Sequence, residues 1–362
     1  MSALANRLRT RIRLEGPITF YEWMKVALYD PDEGYYCRGD REKWGRAGDY
    51  RTSPEQSPLF AATFARYFAG LYATLGSPAQ WTIVEAGAGS GHFAETVLQT
   101  FQDRSPQVFE ATKYVIDELS ADSTVRMKDR LARFGEHVEF KSLEDLGTLN
   151  LAIIFANELL DAFPVHRVVV RDASLREFYV NVNENGDFEW LVGEPSISAK
   201  GNFVQLGIQL RDGQIAEVNP GIEKWIELTS DKLKKGYLII VDYGSEAATL
   251  YSASARPAGT LRAFHAHQMA ESILARVGEQ DLTTSIDWTL VKRLGRQNGF
   301  EMIAFERQDK FLLNAGLLEA LEQTVSESQT EAEKLKLRAC AREMILPGGM
   351  AESFQVLVAE KS

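Results

Sequence analysis

Cysteine is nearly absent: the 362-residue chain holds two, Cys37 and Cys340, far apart and without partner spacing. Neither a disulfide framework nor a cysteine zinc site is expected, and the usage fits a reducing compartment, so the expected location is cytoplasmic. Long apolar runs are lacking as well. No stretch approaches the roughly 18 uninterrupted apolar residues of a membrane span, so none is expected. Positive charge is in deficit, 40 Lys and Arg against 51 Asp and Glu, for a net charge of -11. Neutralising phosphates needs a basic face, which argues against a nucleic-acid partner. Histidine is scarce at five, and His265 and His267 have no third ligand nearby, so no metal is expected. No G-x-S-x-G segment accompanies them, which weakens a hydrolase reading.

What remains is an ordinary globular composition, 45% apolar and 25% charged. The length allows two domains or one large α/β domain with insertions. Arg7, Arg9, Arg11 and Arg13 precede the first acidic residue, Glu15, as in a transit peptide. The globular pattern nevertheless begins by Gly16-Pro17, so a surface helix is expected there.

Helical spacing from Phe60 to Leu75 follows Ser53-Pro54-Glu55-Gln56, which offers a cap, a first-turn proline and a capping-box glutamine. Strands and helices then alternate: Trp81–Ala86 strand, His92–Phe101 helix, Lys113–Glu118 strand, Ala121–Phe134 helix, and short strands at His137–Phe140 and Leu151–Ala156. That pattern predicts a doubly wound, Rossmann-like α/β sheet with ligands at the strands' C-terminal ends. The alternation breaks at Arg167–Val170, Glu177–Val182 and Phe188–Val192, where the Asn185-Gly186 hairpin signal predicts an inserted antiparallel unit. A helix at Gly221–Lys235 and a strand at Tyr237–Val241 resume the parallel core. Glu301–Glu306 and Phe354–Ala359 are the last strands, and Phe311–Met344 between them is helical. The domain expectation is an N-terminal helical segment over 1–77 covering the cofactor site. The core follows over 78–362, with insertions at about 165–220 and 309–346.

The sharpest local signal is Val84-Glu85-Ala86-Gly87-Ala88-Gly89-Ser90-Gly91, a strand entering a glycine loop and then a helix. A dinucleotide fingerprint needs a glycine at the sixth position of G-x-G-x-x-G, where this chain has His92, so pyrophosphate binding is disfavoured. Glu85 can pair with an ammonium group such as that of a methionine moiety. Asp117-Glu118 ends the second strand, where a carboxylate can accept both ribose hydroxyls, and Glu118 is assigned that role. After the fourth strand comes Ala156-Asn157-Glu158-Leu159-Leu160-Asp161. In a helical turn Glu158 and Asp161 would share a face and suit a guanidinium or amine. An N-cap role for Asn157 with a first-turn charge at Glu158 is an equal alternative.

At these residues the chain resembles the MidA-like S-adenosylmethionine-dependent methyltransferases, whose mitochondrial members are arginine methyltransferases assisting complex I assembly. The resemblance runs nearly end to end, through Gly16-Pro17-Ile18-Thr19, Tyr35-Tyr36, Gly48–Glu55, the Glu85 to Gly91 loop and Glu118-Leu119-Ser120. It continues through Asn157-Glu158 to Val165, Asp242-Tyr243-Gly244, Gly259-Thr260-Leu261-Arg262 with His267, and Gly278 with Asp281-Leu282-Thr283. Departures include Leu119 for a usual proline. The resemblance implies S-adenosyl-L-methionine held by Gly87, Gly89 and Gly91, with the Gly48–Glu55 segment folded over it and Thr52 and Ser53 touching it. It also places Asn157, Glu158 and Asp161 at the active site, with His267 a further catalytic candidate. The expected function is class I methyl transfer to a protein side-chain nitrogen, arginine foremost. The alternatives are a small-molecule O- or N-methyltransferase and a non-catalytic assembly factor. A methyl-acceptor substrate and a homodimer are the expected partners.

Overall fold

A computed structural model describes residues 2–39, 57–201, 203–265, 268–346 and 353–362. The chain divides into two units, each assembled from discontinuous segments. The described residues within Glu42–Glu158, Glu227–Tyr243 and Gly295–Ser362 form a parallel-sheet unit; those within Met1–Arg41, Leu159–Ile226 and Gly244–Leu294 form an antiparallel unit.

Seven strands build the first of these: β1 (Trp81–Ala86), β2 (Thr112–Asp117), β3 (Val138–Phe140), β4 (Ala152–Asn157), β5 (Gly236–Ser245), β6 (Glu301–Arg307) and β7 (Phe354–Lys361). Their order is β6-β7-β5-β4-β1-β2-β3, with β1 to β5 parallel and β7 antiparallel to both β5 and β6. The inner strands read as apolar runs because a parallel sheet is covered on both faces. Ile83, Val84, Ile153, Ile154, Phe155 and Tyr237 to Val241 are all buried.

Helix α1 (Pro58–Thr74) supplies the aromatic side of this core. Phe64 lies 5.1 Å from Phe155, and Phe93 of α2 (His92–Arg104) stacks on Phe155 at 4.4 Å. The cap of α1 differs from the expected one: Ser57 accepts from the Leu59 N–H and Pro58 takes the first turn. Ser53-Pro54-Glu55-Gln56 lie outside the described residues. Ala121–Leu131 forms α3, and the expected Phe311–Met344 helix is three: Gln308–Asn314, Leu317–Glu327 and Glu331–Ile345. Gly316 at φ 96 breaks the first junction.

In the antiparallel unit the expected hairpins form at His166–Arg171, Ser174–Val182 and Phe188–Gly193, joined by Ile18–Thr19 and Ile215–Val218. The arginine-rich N-terminus is a helix, Ala3–Glu15, burying Leu4, Ala5, Leu8 and Ile12. Arg7 pairs with Asp30 at 2.7 Å and Arg11 with Glu15 at 2.9 Å. These are exposed pairs of modest worth that keep the guanidinium groups on the solvent face.

Candidate active site

Order reversal between β1 and β4 makes the topological switch point, where open α/β sheets bind ligands beyond the carboxyl ends of their strands. The register pairs Ala86 with Ala156, so the loops following Ala86 and Asn157 leave adjacent strands at one edge. The glycine loop and the Asn157-Glu158 corner are neighbours for that reason.

Gly87, Gly89 and Gly91 have φ of 74, 59 and 77°, left-handed values that a side chain makes unfavourable. The Gly87 N–H donates to the Asp117 carbonyl at 2.8 Å, joining the ends of β1 and β2. The Gly89 N–H donates to Glu118 Oε2 and the Ser120 N–H to Glu118 Oε1, both at 2.8 Å. The Glu118 carboxylate is thus held between the two loops. Gly91 also makes room for α3: a Cβ there would sit 2.7 Å from Met127 Cγ.

Glu85 is 5% exposed on β1. Tyr114, on the same face of β2 opposite Ile83, donates its hydroxyl to Glu85 Oε2 at 2.7 Å. Burial pushes the Glu85 carboxyl up to about 8 against the opposing pull of Tyr114, and the nearby Glu118 adds to the rise. Burial and the Glu85 carboxylate keep the Tyr114 phenol well above its usual range, so it remains a donor. Sequence reading missed Tyr114, whose apolar strand neighbours mark it only as core.

The helical turn supposed to align Glu158 with Asp161 does not form through Glu158. Asn157 is the last strand residue, Glu158 has φ 51°, and a 3-10 turn starts at Leu160. The Glu158 N–H donates to the Val241 carbonyl at 2.9 Å, and the Asn157 amide donates to Glu158 Oε1 at 3.2 Å instead of capping a helix. A left-handed non-glycine residue stores of order 1–3 kcal/mol, and such residues cluster at functional sites. Asp161 belongs to the antiparallel unit and is buried there. The Tyr36 phenol is raised by burial and by Asp281, Tyr29 and Asp161, and it donates to Asp281 Oδ1 at 2.6 Å. Tyr29 stacks on Tyr36 at 5.5 Å and donates its hydroxyl to the Ala162 carbonyl at 2.9 Å. Thr52, Ser53 and His267 lie outside the described residues.

One family motif has a structural task. The buried Glu217 carboxylate accepts from the Thr260 N–H at 2.7 Å, and a Cβ on Gly259 would meet Glu217 Oε1 at 2.3 Å. Gly259-Thr260 is the cradle of that carboxylate.

Residues 63–305 match a family described as putative S-adenosyl-L-methionine-dependent methyltransferases. The chain belongs to this family. The chain is also similar to proteins named mitochondrial protein arginine methyltransferase NDUFAF7. The human protein is 26% identical, with 98% of this chain and 82% of that protein covered; the Caenorhabditis elegans homologue is 28% identical, with 80% and 72% covered. A Burkholderia thailandensis protein described as a candidate methyl transferase, solved with S-adenosyl-homocysteine bound, is 26% identical. Its TM-score is 0.88, with 99% of this chain and 92% of that one covered. The protein is a class I methyltransferase that uses S-adenosyl-L-methionine. The cytoplasmic location expected from cysteine usage is overturned by these relatives, which carry mitochondrial names. Few cysteines report a reducing environment, a property that does not single out one compartment.

Proposed function

We propose that the methyl group goes to a nitrogen of a protein side chain, arginine foremost. Glu85, Gly87, Gly89, Gly91 and Glu118 are assigned to the cofactor, and Asn157, Glu158 and Asp161 to the acceptor. When bound, the cofactor supplies an electrophilic methyl on a positively charged sulfur. Glu118 offers its carboxylate to the ribose, and Glu85 offers a charge partner to the ammonium group. Thr52 and Ser53 keep the cofactor role, and His267 the catalytic role, that the family resemblance implies.

The observation that carries this reading is Glu158. Its carboxylate follows the strand next to the glycine loop, on a backbone at φ 51° that nothing in local propensity favours. A carboxylate there can hold a guanidinium and take its proton, and positioning contributes of order 7–11 kcal/mol in favourable cases. The net charge of -11 also suits a cationic acceptor. The relatives named arginine methyltransferases support the same acceptor.

The test incubates the purified protein with tritiated-methyl S-adenosylmethionine and a whole cell extract, separates protein from small molecules, and identifies labelled amino acids in acid hydrolysates of the protein fraction. Labelled methylarginine, absent with a Glu158→Gln variant that still binds S-adenosyl-homocysteine, supports the proposal. Label confined to small molecules replaces it with the small-molecule reading. Saturable cofactor binding without transfer to any fraction favours an assembly factor.

A further inference from the structure

The antiparallel unit holds a chain of polar groups that methyl transfer does not use. His166 starts one strand and Glu177 lies on the next; Val168 faces Glu177 across the pair, so His166 shares its face of the sheet. His166 Nδ1 is 2.6 Å from Glu177 Oε1, and His166 Nε2 is 2.9 Å from Ser198 Oγ. The second Glu177 oxygen accepts the Ser196 N–H at 2.7 Å, and the Tyr21 ring stacks on the imidazole at 4.8 Å. Histidine and glutamate are buried, whereas the serine is exposed. Burial works against the Glu177 charge, but the His166 and Ser196 hydrogen bonds outweigh it and hold the carboxyl below its usual range.

Serine, imidazole and carboxylate in this order and at these distances are the parts of a nucleophilic relay, recognised by geometry and not by position in the chain. Ser198 opens onto a pocket of about 230 Å³ whose lining includes Ile197, Phe203, Leu206, Val218 and Leu290, with the Glu223 carboxylate also present. That lining suits a short apolar acyl group and disfavours an anionic one.

We propose that Ser198, His166 and Glu177 form a second, acyl-transfer site that cleaves short uncharged esters. Ser198 Oγ bonds to the ester carbonyl carbon as its proton passes to His166 Nε2; the carbon–oxygen bond to the alkoxy group breaks, and the alcohol leaves with that proton. Water then attacks the acyl-serine, again giving a proton to Nε2. The carbon–Oγ bond breaks, the acid departs, and Ser198 regains its proton. Glu177 holds the Nδ1–H tautomer and stabilises the transient imidazolium.

The experiment treats the full chain with an alkyl fluorophosphonate, maps the adduct by peptide mass spectrometry, and follows p-nitrophenyl butyrate hydrolysis in parallel. Expected are a single adduct on Ser198 and an esterase rate that falls at least ~100-fold in Ser198→Ala, because the variant has no nucleophile to acylate. Ser198 is exposed and gives up only its bond to His166 Nε2, so this variant stays folded with at most a small drop in melting temperature. Glu177→Gln is the second variant, expected to slow labelling while leaving Ser198 in place. Its pH profile separates a relay from a buried imidazolium–carboxylate pair that only fastens two strands. An unlabelled wild type, an adduct elsewhere, or equal rates in wild type and Ser198→Ala would overturn the proposal.

Discussion

Glu85 makes the stability of this methyltransferase depend on pH in a direction opposite to that of a salt-bridged carboxylate. Its ordinary value of 4.5 rises to about 8 in the fold. Between those two values the native chain binds one proton more than the unfolded chain. The contribution of Glu85 is therefore fully present below pH 4.5, declines as pH rises through the window, and is lost above about 8. At ~1.36 kcal/mol per unit the whole window amounts to about 5 kcal/mol, of which about 3 are lost by pH 7. Glu85→Gln imitates the protonated acid: its amide oxygen accepts from Tyr114 and it does not titrate. Urea unfolding of both proteins should show the variant gaining on wild type by about 1.4 kcal/mol per pH unit between pH 5.5 and 7, and by about half that at pH 8. Curves that stay parallel across that range would refute the reasoning. The same group reports on the cofactor. An ammonium placed against Glu85 ionises it, so binding S-adenosylmethionine at pH 6.5 should release close to one proton in wild type and none in Glu85→Gln. Calorimetry in two buffers of different ionisation enthalpy measures that number.

Glu118→Ala leaves the Gly89 and Ser120 N–H groups without their carboxylate. At ~1.5–3 kcal/mol for a charge-assisted bond, S-adenosyl-homocysteine affinity should fall about 10- to 100-fold by calorimetry, and unchanged affinity would count against the assignment. Gly91→Ala combines a left-handed φ of 77° with a Cβ 2.7 Å from Met127 Cγ, for a loss of about 2–4 kcal/mol in denaturant unfolding. Adding Met127→Ala should recover the steric part, seen as favourable coupling in a double-mutant cycle. Glu158→Gly relieves the backbone strain at φ 51° while adding unfolded-state entropy, so stability should move by no more than ~1 kcal/mol. Methyl transfer by the same variant should be abolished, and retained turnover would remove Glu158 from the acceptor site.

The parallel core was legible because each segment carries its own instruction. Trp81–Ala86 is a strand with the bounds that its apolar run predicted, and β4 and the α2 start agree within a residue or two. The left-handed turn through Gly87, Gly89 and Gly91 was readable for the same reason, since strand-to-helix turns constrain residue types locally. The helix over Phe311–Met344 was over-read because amphipathic spacing continues across Gly316 and Ser328, where the backbone turns. Glu158 was misread as helical because its conformation is set by the bond of its N–H to Val241, 83 positions along the chain, and not by its neighbours.

The amino-acid sequence by itself determined the fold class, the glycine turn after the first parallel strand and the family, all of which rest on periodicity and on residue types at short spacing. Only the tertiary structure decided what surrounds the chemical groups: the raised carboxyl of Glu85 bonded to Tyr114, the strained Glu158, and the bond of Tyr36 to Asp281. The same holds for the Ser198, His166 and Glu177 relay. Burial and hydrogen-bond geometry are properties of surfaces brought together from distant parts of the chain. Tyr36 and Asp281 stand 245 residues apart, and no local pattern records that they meet.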